Sequence, residues 1–396
     1  MSLRRIRLLA ATALLATVGA LAPAYAATGD SAGSGPLVVT AKPAASGTRL
    51  GVGTALYPRL VRLAHSGDAN GQVLASVVSF DPTGYGAIWR STDDGATFTR
   101  VGEIRDPGAA DGFCCTSLYE LPQAVGGMPA GTLVWAGSFG QDGGTDRRMS
   151  VDLWQSGDHG ATWSMVSRVL SAPNTGGLWE PEMRVNAEGQ LTLYYSDETQ
   201  QPTHSQALME VFSADGVTWS TPYPVVSLAD SGARPGMAVV RERPDGVRLM
   251  TYEICGPGYD CDVYERTSSD GADWGDPAYA GSRIVADDGT FFRHAPTITV
   301  VDDGTAAGRV VLVGQMLVTD AGTDPGNGTT LLTNGAGGDG PWQRAAAPVQ
   351  VPTAYDNYCP NYSSALLPTV DNGGVVEVAT DYAGTECGAF FATGRL

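Results

Sequence analysis

Three glutamates stand where their spacing could do chemistry. Glu180 and Glu182 flank a proline in GLWEPEMRV (177–185), directly after Trp179, and Glu253 closes the run LMTYE. Two carboxylates brought close together split their own pKa values, so that one keeps its proton while the other ionises. That is the requirement for paired acid and base or nucleophile work at neutral pH. The plain alternative is a strand with a charged face. Further polar residues open stretches that are otherwise apolar: Tyr57 and Arg59 in YPRLVRL, Tyr119 and Glu120 in LYELPQAV, Arg234 in RPGMAVV, Arg293 and His294 before APTITV, and Tyr358 and Tyr362 around YSSALLP.

These stretches belong to a repeat. A glycine-led apolar strand recurs as GQVLAS at 71, GTLVWAG at 131, GQLTLYY at 189, GVRLMTY at 246, GRVVLVG at 308 and GVVEVAT at 374. Each is preceded by one of the polar-headed segments, from YPRLVRL to YSSALLP. Short strands separated by Gly, Asp and Asn turns, with no long helical period after the N-terminal segment, predict an all-β chain. A second signature rides on the repeat. STDDGATF (91–98) and SGDHGATW (156–163) share Ser-x-Asp-x-Gly-x-Thr-aromatic, SADGVTW (213–219) and SSDGADW (268–274) are one residue shorter, and GAGGDGPW (335–342) is a degenerate fifth copy. In such a turn the Asp accepts backbone N–H groups, Gly supplies a positive φ and the aromatic packs between units.

With these Asp-boxes in register on a strand repeat, the chain resembles the six-bladed β-propellers of the sialidase superfamily over roughly residues 50–396. The resemblance implies four-stranded blades around a channel, with a strand from about 36–50 closing the last blade. It puts the Asp-boxes at the periphery and the polar-headed strands innermost, their first residues facing the pocket. The segments LWEPEM, LYYSDE followed by HSQAL, and RPGM with LMTYE are most similar to the exo-1,5-α-L-arabinanase family. That family consists of retaining glycosidases that release arabinobiose from linear arabinan with two glutamates. GFCCTSLYE and the CGPGYDC loop depart from its pattern. A sialidase would instead carry three arginines for a carboxylate and a tyrosine nucleophile. Tyr362 in NYSSALL and Arg59 in YPRL resemble those parts, but Arg234 and Glu253 stand in the reverse of the sialidase order. A non-catalytic carbohydrate-binding propeller is the third reading.

Carried over residue by residue, the arabinanase resemblance implies Glu180 as nucleophile and Glu253 as acid/base, with an expected separation of about 5–5.5 Å for a retaining pair. Tyr362 would donate a hydrogen bond to the nucleophile or ring oxygen. Trp179, Tyr57 and Tyr358 are candidates for stacking on sugar, and Arg59 and Arg234 for binding hydroxyls or tuning the carboxylates. His294 would reach substrate or serve as a hydrogen-bonded channel histidine. Strict strand alternation places Glu180, Glu182 and Arg184 on one face, with Glu180 nearest the mouth and Glu182 supporting it by pairing with Arg184 or Arg234.

Composition bounds the partners. Residues 1–26 have Arg4, Arg5 and Arg7, an apolar run and an Ala-Tyr-Ala ending, the layout of a secretory signal peptide. Residues 27–35 read as a flexible leader. Loss of the three arginines takes the net charge from −18 to −21, which disfavours nucleic acid and anionic membranes. The expected product is a secreted, extracellular monomer acting on a poly- or oligosaccharide. Six cysteines in an oxidising compartment predict disulfides, with 255–261, 359–387 and a vicinal 114–115 favoured among many possible pairings. No Cys/His group has zinc-ligand spacing, so neither a metal nor a cofactor is expected.

Overall fold

The computed structural model describes residues 45–396; the expected signal peptide and leader lie outside them. Among the described residues the strands form six antiparallel sheets, and helix is confined to three short 3-10 turns. The chain folds as a β-propeller. Blade one comprises Leu56–Arg62, Val73–Phe80, Gly84–Ser91 and Thr99–Ile104, and blade two Phe113–Glu120, Leu133–Phe139, Ser150–Ser156 and Ser164–Ser171. Blade three runs through Leu178–Val185, Leu191–Asp197, Ala207–Ser213 and Tyr223–Val226. Blade five runs through Thr297–Val301, Arg309–Val313, Thr330–Asn334 and Gln343–Ala346. Blade six is Ala365–Pro368, Gly374–Ala383 and Glu386–Arg395, and Thr48–Arg49 adds its outermost strand by pairing with Phe391 and Phe390.

Blade four departs from the four-stranded plan. To Arg234–Glu242, Arg248–Cys255, Asp262–Ser268 and Ser282–Arg283 it adds Phe291–Arg293, Met316–Thr319 and Gly322–Thr323, joined where Asp262 meets Arg293. The six innermost strands neighbour one another in order, with blade six returning to blade one. The ring is closed, and the inner edge of each blade is short and faces the channel.

There is no single core. Apolar side chains fill the wedge between each pair of adjacent blades: Leu74, Ile88 and Trp135 between one and two, Met149, Leu153 and Leu193 between two and three, Leu208, Met250 and Tyr252 between three and four. Middle strands such as VLASVVSF, buried on both faces, therefore read as nearly continuous apolar runs.

The Asp-boxes lock the turns at the blade ends. Asp158 accepts from Ser156 Oγ (2.8 Å), Thr162 N (2.8 Å) and Thr162 Oγ1 (2.6 Å), while Gly160 N donates to Ser156 Oγ. Ser91–Asp93, Ser213–Asp215 and Ser268–Asp270 repeat the arrangement. In the degenerate fifth copy Asn334 accepts the turn N–H groups of Ala336 and Gly338. The box glycine is needed twice over. Gly216 sits at φ 73°, and a Cβ there would meet Met128 Cε of blade two at 2.5 Å.

Blade two corrects one reading. Its innermost strand is Phe113–Glu120, so Tyr119 and Glu120 end the strand instead of opening it. Glu120 accepts from Ala64 N, His65 N and Ser66 Oγ at the far end of blade one. Pro122 cannot donate to a ladder, so the strand stops before it. Cys114 and Cys115 take the mouth instead. Three disulfides form, 114–115, 255–261 and 359–387. No described helix is long and apolar enough to cross a membrane.

Candidate active site

One backbone device recurs at the channel mouth. Tyr57, Cys115, Glu180, Met237, Ala295 and Ser363, one per blade at or just before the inner strand, all have φ between 48° and 59°. In the first four blades the ladder register slips by one residue at that point: Leu56 to Arg59, Cys114 to Thr116, Trp179 to Glu182 and Gly236 to Val239. These are β-bulges, which re-aim a side chain at a strand end. The bulge overrides the strict alternation predicted for GLWEPEMRV. Glu180 is the bulged residue, and Glu182 resumes the ladder opposite Tyr194.

Glu180 is aimed at blade four. Its Oε2 accepts from Ser196 Oγ (2.6 Å) and from Met237 N (3.0 Å). Gly236, next to Met237, pairs across the ladder with Glu253. Absence of a side chain at Gly236 is what admits the carboxylate, since a Cβ there would meet Ser196 Oγ at 2.7 Å and Glu180 Oε2 at 3.2 Å. The two glutamates thus flank the Gly236–Met237 segment. Glu253 Oε2 accepts from Ala295 N (2.7 Å), the bulged residue of blade five, and its side chain is 12% exposed.

Their electrostatics differ. Burial pushes the Glu253 carboxyl up to about 8, the charges of Glu180 and Asp356 add to this, and the Ala295 N–H and Arg234 oppose it. Burial also raises Glu180, but the Ser196 hydroxyl and the Met237 N–H hold its anionic form and work against the rise. Tyr362 is raised well above the phenol range by burial and by both carboxylates, so it stays protonated; its hydroxyl points to Met237 Sδ at 3.5 Å.

A cavity of about 500 Å³ opens beside Glu180, walled by Tyr57, Phe113, Cys114, Cys115, Trp179, Tyr358 and Tyr362, with Phe80, Gln141, Asp142 and Arg147 at its sides. Tyr358, 61% exposed, packs edge-on to Tyr382, and Tyr57 lies 6.4 Å from Tyr362. Trp179 faces Arg147 at 5.4 Å. Glu253 lies outside that wall, with His294 Nδ1 at 3.9 Å and, beyond His294 Nε2, the exposed Asp356 at 3.7 Å. Burial lowers the pKa of His294, leaving the ring neutral at pH 7.

The arginines are committed elsewhere. Arg59 is buried, donates to Pro58 O and Ser363 Oγ and stacks on Tyr57 at 4.1 Å. Arg234 pairs with Glu198 (2.5 Å) and donates to Gln206 Oε1 and Ser205 Oγ. Glu182 pairs with Arg184 and with Arg241, which sequence reading did not name, and not with Arg234. The carboxylate clamp of a sialidase is therefore not assembled from Arg59 and Arg234. Glu253, Cys255, Cys261 and His294 converge within 4.8 Å. The two cysteines are bonded to each other, which leaves one carboxylate and one imidazole, a poor donor set for zinc.

Several functional groups escaped the sequence reading. Ser196 and Glu198 lie within the quoted LYYSDE run, so their signal was in view. Arg147 and Phe80 carry no motif, and the N–H groups of Met237 and Ala295 have no side-chain signature.

No protein-family model and no curated protein matches the chain. Solved structures do. The α-L-arabinanase of Penicillium chrysogenum complexed with arabinobiose is 26% identical, with 86% of this chain and 93% of that one covered at a TM-score of 0.72. The GH93 α-L-arabinofuranosidase of Fusarium graminearum with arabinobiose gives 26% identity, the same coverages and 0.71. The NanB sialidase of Streptococcus pneumoniae, 12% identical with 88% and 69% covered and a TM-score of 0.54, shares the fold. This chain is thus a β-propeller similar in structure to an α-L-arabinanase and an α-L-arabinofuranosidase.

Proposed function

We propose that the protein is a secreted, retaining exo-1,5-α-L-arabinanase that releases arabinobiose from linear arabinan. The structures it resembles are glycoside hydrolases. The observation that carries the arabinanase reading is the pair Glu180 and Glu253, set on either side of Gly236–Met237 with unequal hold on a proton.

Both donors to Glu180 land on Oε2, leaving Oε1 to attack the anomeric carbon. Glu253, neutral at pH 7, gives its proton to the departing glycosidic oxygen. Once the glycosyl ester forms, Glu253 is an anion and takes a proton from the water that resolves it. Formation of the ester removes the negative charge of Glu180, which lowers the proton affinity of Glu253 at the moment it must give its proton away. Trp179, Tyr57, Tyr358 and Phe80 offer faces for sugar rings, and Arg147 at the side of the cavity offers donors for hydroxyls. Three disulfides suit an oxidising, extracellular compartment.

Digestion of linear arabinan followed by anion-exchange chromatography tests this reading. Arabinobiose is expected as the main early product, with retained anomeric configuration by proton NMR at early times. A ladder of random lengths, inverted product or no release would refute it.

A further inference from the structure

The Cys114–Cys115 disulfide has no ordinary stabilising task. A bridge between sequence neighbours encloses almost no chain, so it removes almost no loop-closure entropy from the unfolded state. Nor is it needed to hold the strand, because the ladder already runs through it, with Cys114 opposite Ser138 and Thr116 opposite Gly137. Its placement points elsewhere. Cys115 is the bulged residue of blade two, the same position that Tyr57 holds in blade one and Glu180 in blade three, and all three line the cavity. Cys114 is only partly buried, and the flanking wall is Phe113, Tyr57 and Trp179.

We infer that the vicinal disulfide is a sugar-binding surface: a rigid, uncharged patch on which the C–H face of a furanose ring packs beside Glu180. Disulfide sulfur is polarisable and bears no proton. It therefore offers dispersion contact and cannot compete for the hydroxyls that the polar wall recognises. Joining the two side chains also fixes them before sugar arrives, so little conformational entropy is lost on binding. This inference rests on the arabinanase reading and adds a specificity element to it.

The test compares wild type with the Cys114→Ala/Cys115→Ala double variant, which leaves the other two bridges intact, on linear arabino-oligosaccharides. Loss of one apolar contact face raises KM about five- to tenfold while kcat changes less than about twofold. An unchanged KM, or a loss confined to kcat, overturns the inference while leaving the arabinanase reading in place. A wild-type enzyme inactive on arabinan overturns both. Should the variant not fold, wild-type protein labelled with 13C-cysteine is titrated with arabinobiose. The Cβ resonances of Cys114 and Cys115 shift at saturation and those of Cys359 and Cys387 do not; no shift at 114 and 115 overturns the inference.

Discussion

Ser196→Ala separates the roles of the two glutamates. Its hydroxyl, buried and 2.6 Å from Glu180 Oε2, makes a charge-assisted bond, while Met237 N remains as the second donor at 3.0 Å. Hydrogen bonds to charged groups contribute about 1.5–3 kcal/mol. Removing this one raises the Glu180 pKa further. An ionised nucleophile sets the acidic limb of the pH profile, so that limb moves up, kcat/KM on the acidic side falls by about ten- to a hundredfold, the fold-change this free energy corresponds to, and the active range narrows. The assay is kcat/KM against pH on an aryl α-L-arabinofuranoside or arabinotriose. If Glu180 were instead the acid, the same substitution would carry the alkaline limb upward and widen the range. A widened profile, or an unmoved acidic limb, refutes the assignment.

Other consequences follow from the same geometry. The alkaline limb of kcat/KM falls through about pH 8, where Glu253 loses its proton, and Glu253→Gln abolishes that limb while lowering turnover of arabinan by about 10²–10⁴-fold. Asp158→Ala removes three turn bonds far from the mouth; calorimetry should show Tm lower by a few degrees with kcat/KM unchanged, and a loss of activity at intact Tm would count against a purely structural Asp-box. Glu377 is fully buried and its pKa is raised from 4.5 to about 8 by burial. Its contribution to stability is full below pH 4.5 and is lost as pH rises through 8. Denaturant titrations should therefore show stability declining from pH 5 to pH 8, with a shallower decline in Glu377→Gln.

The blades were legible because the repeat is written in residue types. Glycine-led apolar strands and Ser-x-Asp turns each need particular side chains, and the cysteine spacing found its partners. Blade two was misphased because LYELPQAV looks like the other polar-headed strands, whereas Pro122 ends the ladder and the bulge at Cys115 begins it. The bulges themselves left no trace, since Tyr, Cys, Glu, Met, Ala and Ser occupy the six positions and no glycine marks the positive φ. For the same reason the sequence offered Glu180 and Glu182 as near equals. The structure separates them: Glu182 is sunk in the channel between Arg184, Arg241 and Ser117 Oγ, and Glu180 faces the cavity. Backbone donors, here Met237 N and Ala295 N, are set by tertiary placement alone.

The central claim is that Glu180 forms the bond to sugar. Trapping with a 2-deoxy-2-fluoro-arabinofuranosyl inactivator, followed by trypsin digestion and tandem mass spectrometry, reads it directly. The label should lie on the peptide Val169–Arg184, at Glu180 and not at Glu182. A label on Leu249–Arg266, which carries Glu253, or on the peptide bearing Tyr362 would contradict it.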